Sequence, residues 1–281
     1  MLDGILIFLK DIVMNLYKEN LTPVSNTHEK VETLCGYIDL SHDGVICIAS
    51  QPEMGKTAIS LYMALEYAEK SHKAVYIFTM EMLAEQVYNR LLIMLSEVDA
   101  TRFYKNLCST QEKERIDAAK KQLSKMNFII NDTSHLSVKQ IEEKLKCVKN
   151  LGLVIIDYFQ LLWPENNVDD REQEYFEIGR QLKILSKHRK IPIIFTSQLS
   201  RRITAKKDKK PDLTDLAGTG VLEHDQDTIC FIYREEDTPT HKEEAEIIIP
   251  KNKLGECGSI TLLWKKDFIK FCEKGNGEEI L

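Results

Sequence analysis

The sequence predicts an α/β fold: a mostly parallel sheet flanked by helices on both faces, with antiparallel strands closing its C-terminal end. Three observations carry this. Short apolar runs such as "VICIA" (45–49), "LVII" (153–156) and "IPIIF" (191–195) suit strands buried on both faces. Helical patterns alternate with those runs, as in βαβ units. In the tail the alternation stops: "DTICFIYRE", "EAEIIIPKNK" and "SITLLWKKDFIKFCE" read as strands with no long helix between them, an antiparallel extension.

At 281 residues the chain suits one large α/β domain preceded by a short arm. Its 43% hydrophobic and 29% charged content is that of a soluble globular protein. The net charge of -6 excludes a generally basic nucleic-acid coat and leaves room for a local basic channel. Seven scattered cysteines, several inside apolar runs and none in a CxxC pair, point to a reducing cytoplasm without disulfides or a zinc site.

Taken in order, the first element is "LDGILIFLKDIVMNLY". Asp3, Lys10 and Asp11 interrupt it, and no basic region precedes it, so it is neither a signal peptide nor a membrane span. Ile5, Phe8, Leu9, Ile12, Val13 and Leu16 fall on one helical stripe, which predicts an amphipathic helix. Residues 18–30 form a polar linker, giving a division into a helix and linker at 1–30 and a main domain at 31–281. The helix either packs on its own domain or docks on a neighbouring subunit.

The strand at 45–49 is followed at once by a helix with Leu61, Ala64, Leu65 and Ala68 at helical spacing. Next come a strand in "KAVYIFTMEM", a helix through "LAEQVYNRLLIMLSEV" and a charged helical stretch at 101–125. The strand "FIINDTS" then precedes a helix capped by Ser137. The strand "LVIIDYFQLL", a polar loop, a helix over about 174–190 and the strand "IPIIFTSQLS" complete the alternating part.

The chemistry concentrates at strand ends. "SQPEMGKT" (Ser50, Gln51, Pro52, Glu53, Met54, Gly55, Lys56, Thr57) lies between a strand and a helix, where unpaired N–H groups cradle phosphates. It matches the phosphate loop GxxxxGK[ST] except that Ser50 replaces the first glycine; Lys56 would reach phosphate and Thr57 would ligate Mg²⁺. Asp157, an acid at the tip of a buried strand, would share the Mg²⁺. Glu81 ends another strand and suits a general base for an attacking water. Gln198 ends a third and could sense the γ-phosphate by hydrogen bonding. ATP and Mg²⁺ are the cofactors these residues call for.

The ordered set "PEMGKT", "FTMEMLAEQ", "INDTS", "LVIIDYFQLL", "IFTSQLSRR", "DLAGTGVLEHDQDTICFIYREE" and "IIIPKNKLG" resembles the RecA-like motor domain of the DnaB family of replicative helicases, over about 30–272. That family commonly carries a small residue other than glycine at the position of Ser50. The resemblance implies a P-loop NTPase core of the RecA-like type and a homo-hexameric or other ring, with ATP held between subunits and single-stranded DNA threaded through the centre. A primase or loader protein is a further partner it suggests. It implies that Lys56 binds phosphate, Thr57 and Asp157 hold Mg²⁺, Glu81 activates water and Gln198 couples nucleotide state to DNA-binding loops. The loop "RRITAKKDKK", with Arg201, Arg202, Lys206, Lys207, Lys209 and Lys210, would face the channel and track the phosphate backbone. A solvated charged loop is the plainer account of the same residues.

The chain departs from the family in three places. Ala217-Gly218-Thr219-Gly220 stands where Arg-Glu-Ser-Gly makes the DNA-contacting turn, leaving backbone amides such as those of Gly218 and Gly220 to meet phosphate. Lys251-Asn252-Lys253 stands in place of Lys-Gln-Arg, so Lys253, or else Lys251, would be the trans-acting finger without a guanidinium's bidentate fork. Gln51 and Glu53 replace an Arg and a Ser in the phosphate loop. The family's N-terminal collar has no counterpart in the sequence, and the helix at 2–17 takes the place of its linker helix. The function these residues imply is an ATP-dependent DNA helicase motor. Two alternatives are a DnaB-like ATPase that binds or remodels a protein complex without unwinding, and a RecA-like ATPase of the RadA or KaiC type.

Overall fold

The computed structural model describes residues 32–34, 36–165, 170–206, 208–216, 221–235 and 243–273. The expected N-terminal helix and linker, Lys207 and the turn containing Gly218 and Gly220 lie outside them, as do the side chain of Arg201 and the C-terminal residues from 274 onward.

A nine-stranded sheet runs in the order β11-β10-β9-β8-β3-β7-β6-β4-β5. Its parallel part is β3 (Gly44–Ser50), β4 (Ala74–Thr79), β5 (Phe128–Asn131), β6 (Leu151–Asp157), β7 (Pro192–Gln198) and β8 (Thr228–Tyr233). The antiparallel part is β9 (Glu244–Asn252), β10 (Gly258–Lys265) and β11 (Lys270–Glu273). A separate two-stranded ribbon pairs β1 (Glu32–Thr33) with β2 (Ile38–Asp39).

Two departures from the sequence reading lie in the tail. β8 still pairs parallel to β3, so the antiparallel section starts only at β9. "SITLLWKKDFIKFCE" is two strands, β10 and β11, folded back on each other through a 3-10 turn at Lys266–Phe268 and a left-handed Ile269 at φ 51°. No Gly or Pro marks that turn, which is why the segment reads as one strand.

Helices cover both faces. α1 (Lys56–Ser71) and α2 (Ala84–Ser96) bury Leu61, Ala64, Leu91 and Leu92 on the side of Ile46 and Ile48. The 101–125 stretch breaks into α3 (Ala100–Tyr104) and α4 (Thr110–Leu123), because Asp99 and Ser109 each cap a new start. On the other face α5 (Val138–Leu145) and α6 (Arg171–Arg189) bury Ile141, Ile178 and Leu182 against Val45 and Cys47. Alternate β3 side chains therefore enter two separate cores, the reason its sequence is apolar throughout. A short α7 (Val221–Asp225) leads into β8. No helix among the described residues is long and apolar enough to cross a membrane.

Candidate active site

The carboxyl edge of the parallel strands brings together most of the expected residues. Register places Ser50 beside Gln198 and Thr79 beside Asp157. Ser50 is fully buried, and its hydroxyl donates to Gln51 O at 2.7 Å, turning the chain out of β3. Glu53 (φ 64°) and Gly55 (φ 101°) carry the loop through left-handed conformations into α1. Gly55 is needed for a second reason: a Cβ there would lie 2.8 Å from Phe271 Cζ. Met54 is buried and anchors the loop in the core beneath it.

The first turn of α1 leaves its leading N–H groups without helical carbonyls, so the loop presents a ring of donors to an anion. Lys56 Nζ curls back onto the loop, 3.1 Å from Gln51 O and 3.4 Å from both oxygens of Ser50. Burial pulls the Lys56 pKa down, and the charges of Asp157 and Glu81 oppose that pull. Thr57 Oγ1 donates to Asp157 Oδ2 at 2.7 Å. Asp157 is only 4% exposed, and its other oxygen accepts from Thr196 Oγ1. A hydroxyl and a carboxylate in contact are the hard oxygen donors that Mg²⁺ takes alongside phosphate oxygens. Among the described residues no group of three or more His, Cys, Asp or Glu is placed to hold a metal ion.

Glu81 lies exposed two residues beyond β4. Its turn is shaped by Thr79, whose hydroxyl donates to Met82 O and accepts from Met82 N, and by Met80 N bonding Asp157 O at 2.9 Å. The Glu81 charge is close enough to raise the Tyr158 pKa, after burial and ahead of Asp157 and Tyr175. Gln198 is half-buried, and its N–H donates to Gln160 Oε1 at 3.3 Å.

Sequence reasoning missed several members of this edge. Gln160 links the loop after β6 to the end of β7, since its amide nitrogen donates to Ser197 Oγ at 2.8 Å and to Gln198 O at 3.2 Å. Thr196 was detectable as a hydroxyl directly after the apolar run of β7, at a buried position that demands a partner. Behind the loop, Phe271 and Trp264 pack with ring centroids 4.7 Å apart, and the Arg234 guanidinium lies 5.1 Å from the Trp264 ring centroid. Arg234 also approaches Glu53 O at 3.5 Å. The hairpin fold of β10 and β11 brings Trp264 and Phe271 to the loop, and Arg234 reaches it from the end of β8.

The two finger candidates are not at this edge. Lys251 and Lys253 lie at the opposite, amino-terminal end of the parallel strands, where Asn252 pairs with Thr228 at the start of β8. Lys251 Nζ donates to Glu223 O, and Lys253 Nζ donates to Asp227 Oδ1 at 3.1 Å. The basic segment is divided as well. Lys206 pairs with Asp212 and Asp215 at 2.7 Å each, and Lys210 pairs with Glu246 at 2.6 Å beside the Tyr233 ring. Arg202 and Lys209 are exposed.

With this geometry in hand, comparison with known proteins is specific. Residues 11–273 match the family model of the DnaB-like helicase C-terminal domain. The chain is 35% identical over 260 residues to the replicative DNA helicase DnaB of Rickettsia typhi, covering 81% of this chain and 52% of that protein. It is 31% identical over 278 residues to the replicative DNA helicase DnaC of Bacillus subtilis, covering 94% and 61%. The chain thus spans little more than half the length of these curated relatives. Among solved structures, one that comprises an ATPase domain superposes with a TM-score of 0.78 at 26% identity, covering 98% of this chain and 99% of that one. A DnaB-like replicative helicase, solved in a study of its interactions with primase, also gives 0.78, at 29% identity over 83% of this chain and 58% of that one. A phosphate loop, an acid in contact with its threonine and a family match across nearly the whole chain agree: the chain belongs to the DnaB-like helicase C-terminal domain family.

Proposed function

We propose that this chain is the motor of an ATP-dependent DNA helicase, hydrolysing ATP between the subunits of a ring to move along single-stranded DNA. The observation that carries the reading is the contact of Thr57 with Asp157 at the mouth of a glycine-hinged loop, in a chain of this family. In this reading the loop amides and Lys56 hold the phosphates of ATP, and Thr57 and Asp157 hold Mg²⁺, which when bound offsets phosphate charge. Glu81 takes the proton of the attacking water, and Gln198 passes the state of the γ-phosphate to the segment that follows β7. Lys253 serves the site of a neighbouring copy, because β3 alone separates it from its own loop by six residue steps, roughly 20 Å at about 3.3 Å each. The N-terminal segment holds neighbours together, DNA runs past Arg201, Arg202, Lys207, Lys209, Gly218 and Gly220, and a primase is a fitting protein partner.

The test is ATP turnover with and without single-stranded DNA, together with displacement of a labelled strand from a forked duplex. Stimulated turnover with strand displacement is the expected result. Stimulated or basal turnover with no displacement would favour a second reading, an ATPase that remodels a protein complex. The internal ion pairs of Lys206 and Lys210 support that alternative, since they withdraw two cations from DNA. Deleting residues 1–20 should shift the assembly toward monomer; an unfolded core would instead mean that this segment packs on its own domain.

A further inference from the structure

Asp227 takes no part in the nucleotide site, yet it is among the most heavily bonded acids of the domain. It precedes β8 at the amino-terminal edge of the parallel strands and is 7% exposed. Its N–H donates to Val45 O and its carbonyl accepts from Lys253 N, both at 2.9 Å, so the backbones of the acid and the lysine are tied together. Its carboxylate is shared. Oδ2 accepts from Val45 N at 2.9 Å and from Lys183 Nζ of α6, while Oδ1 accepts from Lys253 Nζ at 3.1 Å.

The two lysines are not equivalent. The Lys183 side chain is 32% exposed, whereas that of Lys253 is 49% exposed. If Lys253 swings away, Oδ2 keeps both Lys183 and the Val45 amide, so the buried carboxylate is not stranded as an unpaired charge, the outcome that makes most buried pairs costly to break. Lys251 crowds the same edge, its pKa lowered by burial and by the like charge of Lys253. The Asp227 carboxylate sets the direction of the Lys253 ammonium against that repulsion.

We propose that Asp227 is the positioning residue of Lys253: it holds the ammonium at the outer edge of the subunit, aimed at the nucleotide of the next copy, and can release it because Lys183 remains as counter-ion. This rests on the trans role of Lys253 proposed above and adds the residue that governs it.

Mixed assemblies test both layers separately. Lys56→Ala subunits bind no ATP but carry an intact Lys253, so they should restore turnover to Lys253→Ala subunits. Adding Asp227→Asn to the Lys56→Ala donors should cut that rescue by roughly 10²-fold, the loss expected when a catalytic group is misplaced by about 1 Å. Adding Asp227→Asn to the Lys253→Ala acceptors should leave the rescue unchanged, because their nucleotide sites lie at the other end of the sheet. Equal losses from donor and acceptor placement would mean that Asp227 merely supports the fold, and undiminished rescue by the doubly substituted donors would overturn the proposal outright. If Lys253→Ala alone leaves turnover at the parental rate, the trans role fails, and the positioning role fails with it.

Discussion

Thr57 Oγ1 and Asp157 Oδ2 stand 2.7 Å apart, joining the first turn of α1 to the end of β6 across 100 residues of sequence. Neither residue has a structural need for the other that a pair of apolar side chains would not serve better, since burying a carboxylate is costly. The contact is what the proposed shared cation site requires. Lys56→Ala should abolish ATP binding, while Glu81→Gln should keep it and slow hydrolysis by about 10² to 10⁴, the usual contribution of a general base. Equilibrium binding of a fluorescent ATP analogue and steady-state turnover separate the two, and a Glu81→Gln protein with near-normal turnover would remove Glu81 from that role.

The basic segment after β7 should divide into two classes. Arg202 and Lys209 are exposed, so neutralising them together should weaken single-strand binding for every sequence and flatten its salt dependence by about 0.7 per lost phosphate contact. Lys206 is spoken for by Asp212 and Asp215, whose hydrogen bonds hold its pKa above the usual lysine value. Lys206→Gln should accordingly change DNA affinity less than the Arg202 and Lys209 pair does. Titrations at several salt concentrations decide it, and an unchanged slope in the double variant would make this a solvated loop.

Gly55→Ala should be destabilising for two separable reasons. A non-glycine residue in a left-handed conformation costs about 1 to 2 kcal/mol, and overpacking against Phe271 adds about 1 to 3 kcal/mol. Chemical denaturation of Gly55→Ala with and without Phe271→Leu separates them: the second substitution should recover the packing part alone. Full recovery would show that the backbone strain is negligible.

Asp227 predicts how stability depends on pH. Burial on its own would raise its pKa, but hydrogen bonds from Lys183, the Val45 amide and Lys253 outweigh burial and hold it below the usual carboxylate range. A folded-state pKa below the unfolded value gives stability that is complete above the unfolded value of about 3.9 and disappears as pH falls through the folded one. Asp227→Asn should therefore lower stability at neutral pH and flatten its decline below about pH 4. Denaturation midpoints from pH 7 to pH 3 measure this, and identical acid limbs in both proteins would contradict it.

Much of this site is legible in the linear sequence because its residues end strands. An apolar run that stops at Ser50, Asp157 or Gln198 announces both the element and its exposed tip, and the glycine of "MGKT" marks the turn into α1. What stays hidden depends on tertiary closure. Phe271 reaches Gly55 only because β10 and β11 fold back at a turn with no glycine or proline to signal it. Gln160 looks like an ordinary polar residue until β7 is placed beside β6. The pairing of Lys253 with Asp227, 26 residues away, follows from the register of β8 with β9, which composition does not fix.

The phosphate loop follows the end of β3 and Lys253 lies beside its start, so under the proposed roles each copy offers a nucleotide pocket at one side and a cation at the other. Contacts between unlike faces propagate head to tail until the chain of subunits closes. An open row always has one pocket without a donor and one donor without a pocket, whereas a closed row has none. Activity per subunit should consequently rise with protein concentration and level off once closure is complete. Diluting the protein until only single subunits remain should switch it off even at saturating ATP, making assembly itself a gate on fuel consumption.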